Sequence, residues 1–217
     1  MKQFKIRCSA INDIMAKATK GRTISVGAET FCKKWLIRQM TGKHEQQVST
    51  PVLRKGILME DMAIDFLLRL DGGKSFFDKN EDNLQNEYLT GTPDIITEDT
   101  VIDIKCPWDA YTMPYFDTEP DKGYWAQLQG YMALTGRKKA RLVYLLMDAP
   151  ESLIESAEKK ALWNGLDVDA VRDSMTFDNV PDNLRKVEFT FDYDEDYIAS
   201  VYDRVTAMRE FIKALVP

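Results

Sequence analysis

Asp94, Asp103 and Lys105 lie close together in GTPDIITEDTVIDIKCP, residues 91–107, on either side of a central Glu98-Asp99. The segments that carry them are rich in apolar and β-branched residues, which suit strands, and acids are costly to bury in such surroundings. Side chains alternate along a strand. In VIDIKC, therefore, Val101, Asp103 and Lys105 share one face, and Ile102, Ile104 and Cys106 share the other. Residues directly opposed in an antiparallel pair lie on the same side of the sheet. A turn with an even number of residues, Glu98-Asp99 or Thr97 through Thr100, sets Asp94 opposite Asp103. A three-residue turn would throw Asp94 to the other face. Pro93 suits the start of such a strand, where a missing N–H is tolerated.

Two facing carboxylates repel, and one takes up a proton at neutral pH unless a cation lies between them. Mg²⁺ or Mn²⁺ is the cation that such hard oxygen ligands suit. The backbone carbonyl of Ile104, between the acid and the lysine, can join the shell. Lys105 cannot bind a cation, but it can orient or activate a water, or stabilise charge developing on a phosphate. The plainer reading is an acid–lysine pair on the solvated face of an ordinary hairpin.

Two further features bear on the choice. Glu60, in KGILMEDMA, sits on a helical pattern before the hairpin, and Gly56 one turn earlier would allow close approach. Such a glutamate either holds a metal, directly or through water, or is a lone surface acid. In AQLQGYMALTG, Gln127, Gly130, Tyr131 and Leu134 fall on one helical stripe. A glutamine and a tyrosine on a stripe that faces a sheet need polar partners. A metal-bound water or a phosphate would supply them; an internal Gln–Tyr hydrogen bond would do so too.

The elements that must position these residues follow from periodicity. A helix is expected from Ser9, as N-cap, through INDIMAKATK to Gly21, and another over AETFCKKWLIRQM, closing at Gly42. A third runs from about Leu53 to Leu70, with Gly72-Gly73 as its stop. The hairpin region is 88–106, and an aromatic loop, PWDAYTMPYFDTEPDKGY, follows it. The helix WAQLQGYMALT closes on Gly136, and the strand ARLVYLLM comes next. A weaker helix near 151–164, a strand KVEFTF and a helix over about 195–215 complete the pattern. In the last helix, Ile198, Val201, Val205, Met208, Ile212 and Leu215 form a stripe that reads as core. The sum is an α/β fold, a small mixed sheet with helices on its faces. It reads as a single domain over 1–217: a basic helical part (1–55), a central part holding the candidate site (56–147), and a C-terminal strand with helices (148–217).

Composition narrows the chemistry. The single histidine, His44, makes histidine-based catalysis and multi-histidine zinc sites improbable. Three dispersed cysteines, Cys8, Cys32 and Cys106, argue for a reducing compartment and cannot supply four thiolates to an iron–sulfur cluster. There is no run of eighteen apolar residues and no signal-like start, so no membrane association is expected. The net charge is −6, yet residues 1–55 carry twelve Lys/Arg against three Asp/Glu. This basic quarter on an acidic body either places positive potential on one face for nucleic acid, or merely solvates the N-terminal helices.

Taken together, G-x-x-x-E (Gly56 to Glu60), GTPD (Gly91 to Asp94), D-x-K-C-P (Asp103 to Pro107) and AQLQGYMALTG (Ala126 to Gly136) resemble the PD-(D/E)XK nuclease superfamily. More narrowly, they look like the lambda-exonuclease or YqaJ-type viral recombinase family. The resemblance covers about 56–136 and implies a restriction-endonuclease-like core. It implies Asp94, Asp103 and the Ile104 carbonyl as ligands of one or two Mg²⁺ ions, with Mn²⁺ as a substitute. Glu60 would hold the second ion or its waters, and Lys105 and Gln127 would position the attacking water, supported by Tyr131. Ser9 would bind a DNA 5′-phosphate with a basic partner among Lys2, Lys5 and Arg7, of which Arg7 is chosen. The implied activity is 5′ to 3′ degradation of linear double-stranded DNA in a bacterial host cytoplasm. It would leave a 3′ strand for a phage single-strand annealing protein, and the implied assembly is a trimeric ring. A structure- or sequence-specific endonuclease, or an inactive DNA-binding subunit, are the alternatives. The aromatic loop (Trp108, Tyr111, Tyr115, Phe116) either stacks on unpaired bases or is a packed loop or subunit interface.

Overall fold

The computed structural model describes residues 3–45, 50–73 and 78–216. Strand β1 (Ile6–Arg7) passes through a 3₁₀ turn (Cys8–Ala10) into the short helix α1 (Ile11–Ile14). Helix α2 (Val26–Thr41) starts where the Ser25 hydroxyl accepts from the Ala28 N–H, and stops at Gly42, whose φ of 68° suits a residue without Cβ. Helix α3 (Pro51–Leu70) is capped by the Thr50 hydroxyl and has proline in its first turn. Strands β2 (Leu84–Gln85), β3 (Leu89–Gly91), β4 (Ile95–Ile96) and β5 (Thr100–Lys105) follow. The rest is α4 (Lys122–Thr135), β6 (Lys139–Leu145), α5 (Glu151–Trp163), α6 (Val168–Asp173), β7 (Lys186–Asp192) and α7 (Glu195–Leu215).

The strands form two sheets, ordered β1-β3-β2 and β4-β5-β6-β7. The second is the small mixed sheet expected. Its β5 and β6 are parallel, joined by the crossover helix α4, while both outer pairs are antiparallel. The expected hairpin is narrower than 88–106, because residues 89–91 pair in the other sheet.

Alternation along β5 sorts its residues as the spacing demands. Val101 joins a large core with Leu128, Met132, Leu142, Val201 and Met208. Ile102 and Ile104 face Met59, Ala63, Ile64 and Leu67 of α3. The central sheet is therefore covered on both faces, and the Val101–Asp103–Lys105 face is not a solvated one: Asp103 is 1% exposed. The stripe on α7 is core from Ile198 to Ile212, while Leu215 is 39% exposed beyond it.

The first expected helix is the clearest departure. It lasts only from Ile11 to Ile14, Ala10 stands at its N-cap, and no side chain caps it. Ser9 lies inside the preceding 3₁₀ turn. Beyond Ile14 the sequence MAKATKGR offers no apolar stripe to bury, and a helix without one is marginal.

Candidate active site

The register sets the site. Ile95 pairs with Ile102 and Ile96 with Val101, and the Thr97 N–H donates to the Thr100 carbonyl across a two-residue turn, Glu98-Asp99. The turn is even, so continuing the register brings Asp94 opposite Asp103. The strand pairing itself stops at Ile95, and the Asp94 side chain takes over: its Oδ2 accepts from the Ile104 N–H at 2.7 Å. The N–H and C=O of one strand residue leave from the same edge, so the Ile104 carbonyl opens on the Asp94 side.

Lys105 Nζ lies 2.6 Å from Asp103 Oδ2 and 4.6 Å from the centre of the Tyr124 ring. The contact with Asp103 lacks the direction of a hydrogen bond, which leaves Asp103 Oδ2 buried without a hydrogen-bond partner among the described residues. On α4, Gln127 Nε2 donates to the Tyr131 hydroxyl at 2.7 Å and reaches Asp103 Oδ1 at 3.5 Å. The expected Gln–Tyr pair thus exists and also touches the acid. Gln129, two residues on, plays a different part. It is fully buried, donates to the Asp192 carbonyl and accepts from the Asp194 N–H, tying α4 to the β7–α7 junction.

Gly91 makes room for Tyr131, and Gly130 makes room for Cys8 and Ile11 against α4. A Cβ on Gly91 would stand 2.6 Å from Tyr131 Cε1, and one on Gly130 would stand 2.6 Å from Ile11 Cδ1 and 2.8 Å from Cys8 Sγ. Gly56 has no such duty: a Cβ there would meet nothing within 4 Å, so the close approach expected of it is absent.

The charges perturb one another. Burial, and then the Asp103 charge, push the Asp94 carboxyl up to about 7, against the pull of Lys105 and the Ile104 N–H. Burial alone would lower the Lys105 ammonium, but Asp103 and Asp94 outweigh it and the net shift is upward, so Lys105 stays protonated at neutral pH. Burial, with Asp103 beside it, also raises the Tyr131 hydroxyl, which keeps its proton to donate.

These groups line a cleft of about 960 Å³ that also reaches Ser9, Gly56 and Glu60. Glu60 is present but not gathered in. Its side chain is 38% exposed and lies 3.6 Å from Lys79 Nζ. Among the described residues no group of three His, Cys, Asp or Glu side chains converges as a ready metal cluster. The donors that do converge are two carboxylates and a backbone carbonyl, hard oxygens throughout. Two close carboxylates, one raised and one buried with only the Lys105 ammonium against its Oδ2, are what a divalent cation would satisfy, so the donor set fits Mg²⁺ or Mn²⁺ with water completing its shell.

Ser9 is exposed on the cleft wall. The four-residue helix behind it cannot act as the expected phosphate-binding N-terminus, since aligned dipoles need length. Arg7 is exposed on β1 and is not part of the cleft wall; Lys2 lies outside the described residues. Lys105 is the only basic residue among the described residues of that wall. The aromatic loop divides. Trp108 packs against Leu153 and Met175, and the Tyr115 hydroxyl donates to the Leu184 carbonyl, while Tyr111 and Phe116 are almost wholly exposed at the cleft mouth. A second cavity of about 900 Å³, beside Trp125 and Phe189, is lined by Glu119, Lys122 and Glu188 as well, but Glu188 is already held by Arg141.

Sequence reasoning missed Tyr124 and Lys55. Tyr124 had a signal: it stands three residues before Gln127 on the stripe leading to Tyr131. Lys55 had none, being one more cation in a basic stretch.

Comparison with solved structures gives the fold a precedent. The chain superposes on a phage-related exonuclease from Haemophilus somnus 129PT with a TM-score of 0.83 at 23% identity, covering 99% of this chain and 96% of that one. The chain has the fold of an exonuclease. An alkaline exonuclease from Laribacter hongkongensis matches with a TM-score of 0.66 at 19% identity, over 97% of this chain and 88% of that one. The same enzyme in complex with dAMP matches equally well, at 20% identity. No family model and no curated protein matches the chain.

Proposed function

We propose that this chain is a metal-dependent deoxyribonuclease that degrades linear double-stranded DNA from its ends. The observation that carries the reading is the delivery of Asp94 opposite Asp103, beside Lys105, with Asp103 Oδ2 buried and lacking a hydrogen bond. The exonuclease fold supports it, as does the dAMP complex formed by one protein of that fold.

Asp94, Asp103 and the Ile104 carbonyl would hold one or two Mg²⁺ ions, or Mn²⁺ in their place, with Glu60 reaching in through water. A bound divalent ion supplies charge stabilisation at the phosphodiester and a water of lowered pKa. Lys105, already protonated, places a fixed positive charge where the phosphate gains negative charge, and is not a base. Gln127 and the Tyr131 hydroxyl offer N–H and O–H donors that orient the attacking water. Buried walls on both sides of β5 keep these groups in place without reorganisation. Ser9 on the cleft wall is the proposed contact for a 5′-phosphate, and Arg7, which lies outside that wall, would have to reach the phosphate from β1. Polarity from 5′ to 3′, a trimeric ring and transfer of the 3′ strand to an annealing protein rest on the sequence resemblance.

The test is a time course on linear duplexes that differ only in a 5′-phosphate, with Mg²⁺ and EDTA arms and a covalently closed circle. Mononucleotide release from the linear duplexes with Mg²⁺, none with EDTA and none from the circle is the expected result. Cutting of the circle would replace the exonuclease by an endonuclease. An absence of hydrolysis with both Mg²⁺ and Mn²⁺ would reduce the chain to a DNA-binding subunit.

A further inference from the structure

Lys55 is fully buried, on the inward face of α3 one turn before Met59. A lysine buried this deeply ordinarily pairs with a carboxylate. Here Nζ donates instead to two successive backbone carbonyls, Pro107 at 2.9 Å and Trp108 at 3.1 Å. Its remaining side faces the Phe177 ring, 5.4 Å away. Burial is the largest influence on its pKa, and the nearby charges of Cys106, Asp148 and Asp109 only partly offset it. A methionine of the same length would remove the charge to desolvate but leave both carbonyls without a donor, so the two carbonyls are what the lysine serves.

The place of those two carbonyls says why. The ladder between β5 and β6 ends at the pair Lys105–Tyr144. Beyond it the chain leaves the sheet, and its next backbone anchors to the fold are the two carbonyls held by Lys55. The same stretch then enters the Asp109–Thr112 capping box at the cleft wall. Lys55 therefore clamps the exit of the strand that carries Asp103 and Lys105 onto the helix that carries Glu60. The C-terminal third of the chain closes the clamp from behind. The Phe177 N–H donates to Asp148 Oδ1 at 2.7 Å, and Arg185, nearly buried, donates to the Leu146 carbonyl.

We infer that Lys55 is a positioning residue for the site, acting through the Pro107 and Trp108 carbonyls to hold Lys105 and the 106–117 wall in register with α3. Its effect on catalysis rests on the nuclease reading; its effect on the wall does not. The experiment compares wild type, Lys55→Met and Lys55→Arg by amide hydrogen exchange, thermal melting and steady-state cleavage of a linear duplex. In Lys55→Met, exchange should rise in 106–117 and not elsewhere, the melting temperature should change little because the lost carbonyl bonds offset the relieved desolvation, and kcat should fall about 10- to 100-fold with little change in KM. Lys55→Arg, which restores a cation with several donors, should recover part of the kcat and of the protection. Wild-type exchange in 106–117 of Lys55→Met, or a wild-type kcat, would overturn the proposal. So would faster exchange throughout the chain together with a lower melting temperature, which would make Lys55 a general stabiliser. If the wild type cleaves no DNA, the nuclease reading falls and the exchange comparison alone decides the clamp.

Discussion

The molecule encloses one lysine wholly and another partly, within one strand end of each other, and treats them in opposite ways. Lys105 lies against Asp103, with Asp94 close by, and its ammonium is raised above the ordinary value. Lys55 lies among carbonyls and an aromatic ring, and its ammonium falls to about 8. Burial lowers both; the partner decides the sign. A carboxylate supplies full opposite charge, whereas a carbonyl supplies only a dipole. The first arrangement fixes a positive charge in a reactive cleft. The second fixes a backbone.

The largest effect should come from breaking the charged arrangement. Asp103→Asn keeps the shape and removes the charge, and cleavage should drop by about 10³-fold or more. Lys105→Met should lose about 10²- to 10³-fold. Both are read as single-turnover rates on a linear duplex with excess Mg²⁺, and a wild-type rate in either would sink the site assignment. Lys55→Met should fall between these and the surface changes, as set out above.

The opposite shifts also predict opposite pH behaviour. Between pH 8 and 10.5 the unfolded chain keeps a proton that folded Lys55 has lost. Stability due to Lys55 therefore rises with pH across that window, by roughly 3 kcal/mol, and shows no slope below it. The folded value of Lys105 is raised, so its contribution is complete below about 10.4 and is lost as pH climbs through the folded value. Urea midpoints of wild type and Lys55→Met from pH 7.5 to 10.5 separate the two. The wild type should gain stability relative to the variant, and parallel curves would refute the assignment.

Smaller effects test the packing around the pair. Gly91→Ala drives a methyl into the Tyr131 ring and should cost about 1–3 kcal/mol, measured by denaturant unfolding. Lys79→Met removes the exposed partner of Glu60 and should change stability by less than about 1 kcal/mol. A matching change in Mg²⁺ dependence of cleavage would show that Glu60 serves the metal; none would leave it a surface acid.

Much of this was legible in the residues. The period-2 alternation of VIDIKC put Asp103 and Lys105 on one face, because that rule is local and depends only on spacing; Asp94 followed only for an even turn, and the folded register supplied that parity. The 3.6 period, equally local, placed Gln127 and Tyr131 together. Less legible was the N-terminal phosphate site. Ser9 before an apolar residue looks like a cap, but the helix behind it buries only Ile11 and Ile14 and stops there, because the residues beyond offer no apolar stripe. Least legible was Lys55, whose partners lie 52 and 53 residues away and are backbone atoms that carry no residue type.

By itself, then, the sequence determined which side chains could meet along one strand, one turn and one helix, since periodicity is a property of the local backbone. Only the tertiary structure decided that the Asp103 face is buried, that Glu60 stays at the rim, and that the strand's exit is held by a lysine. Those outcomes depend on which surfaces close over the sheet, and that is set by packing between segments far apart in the chain.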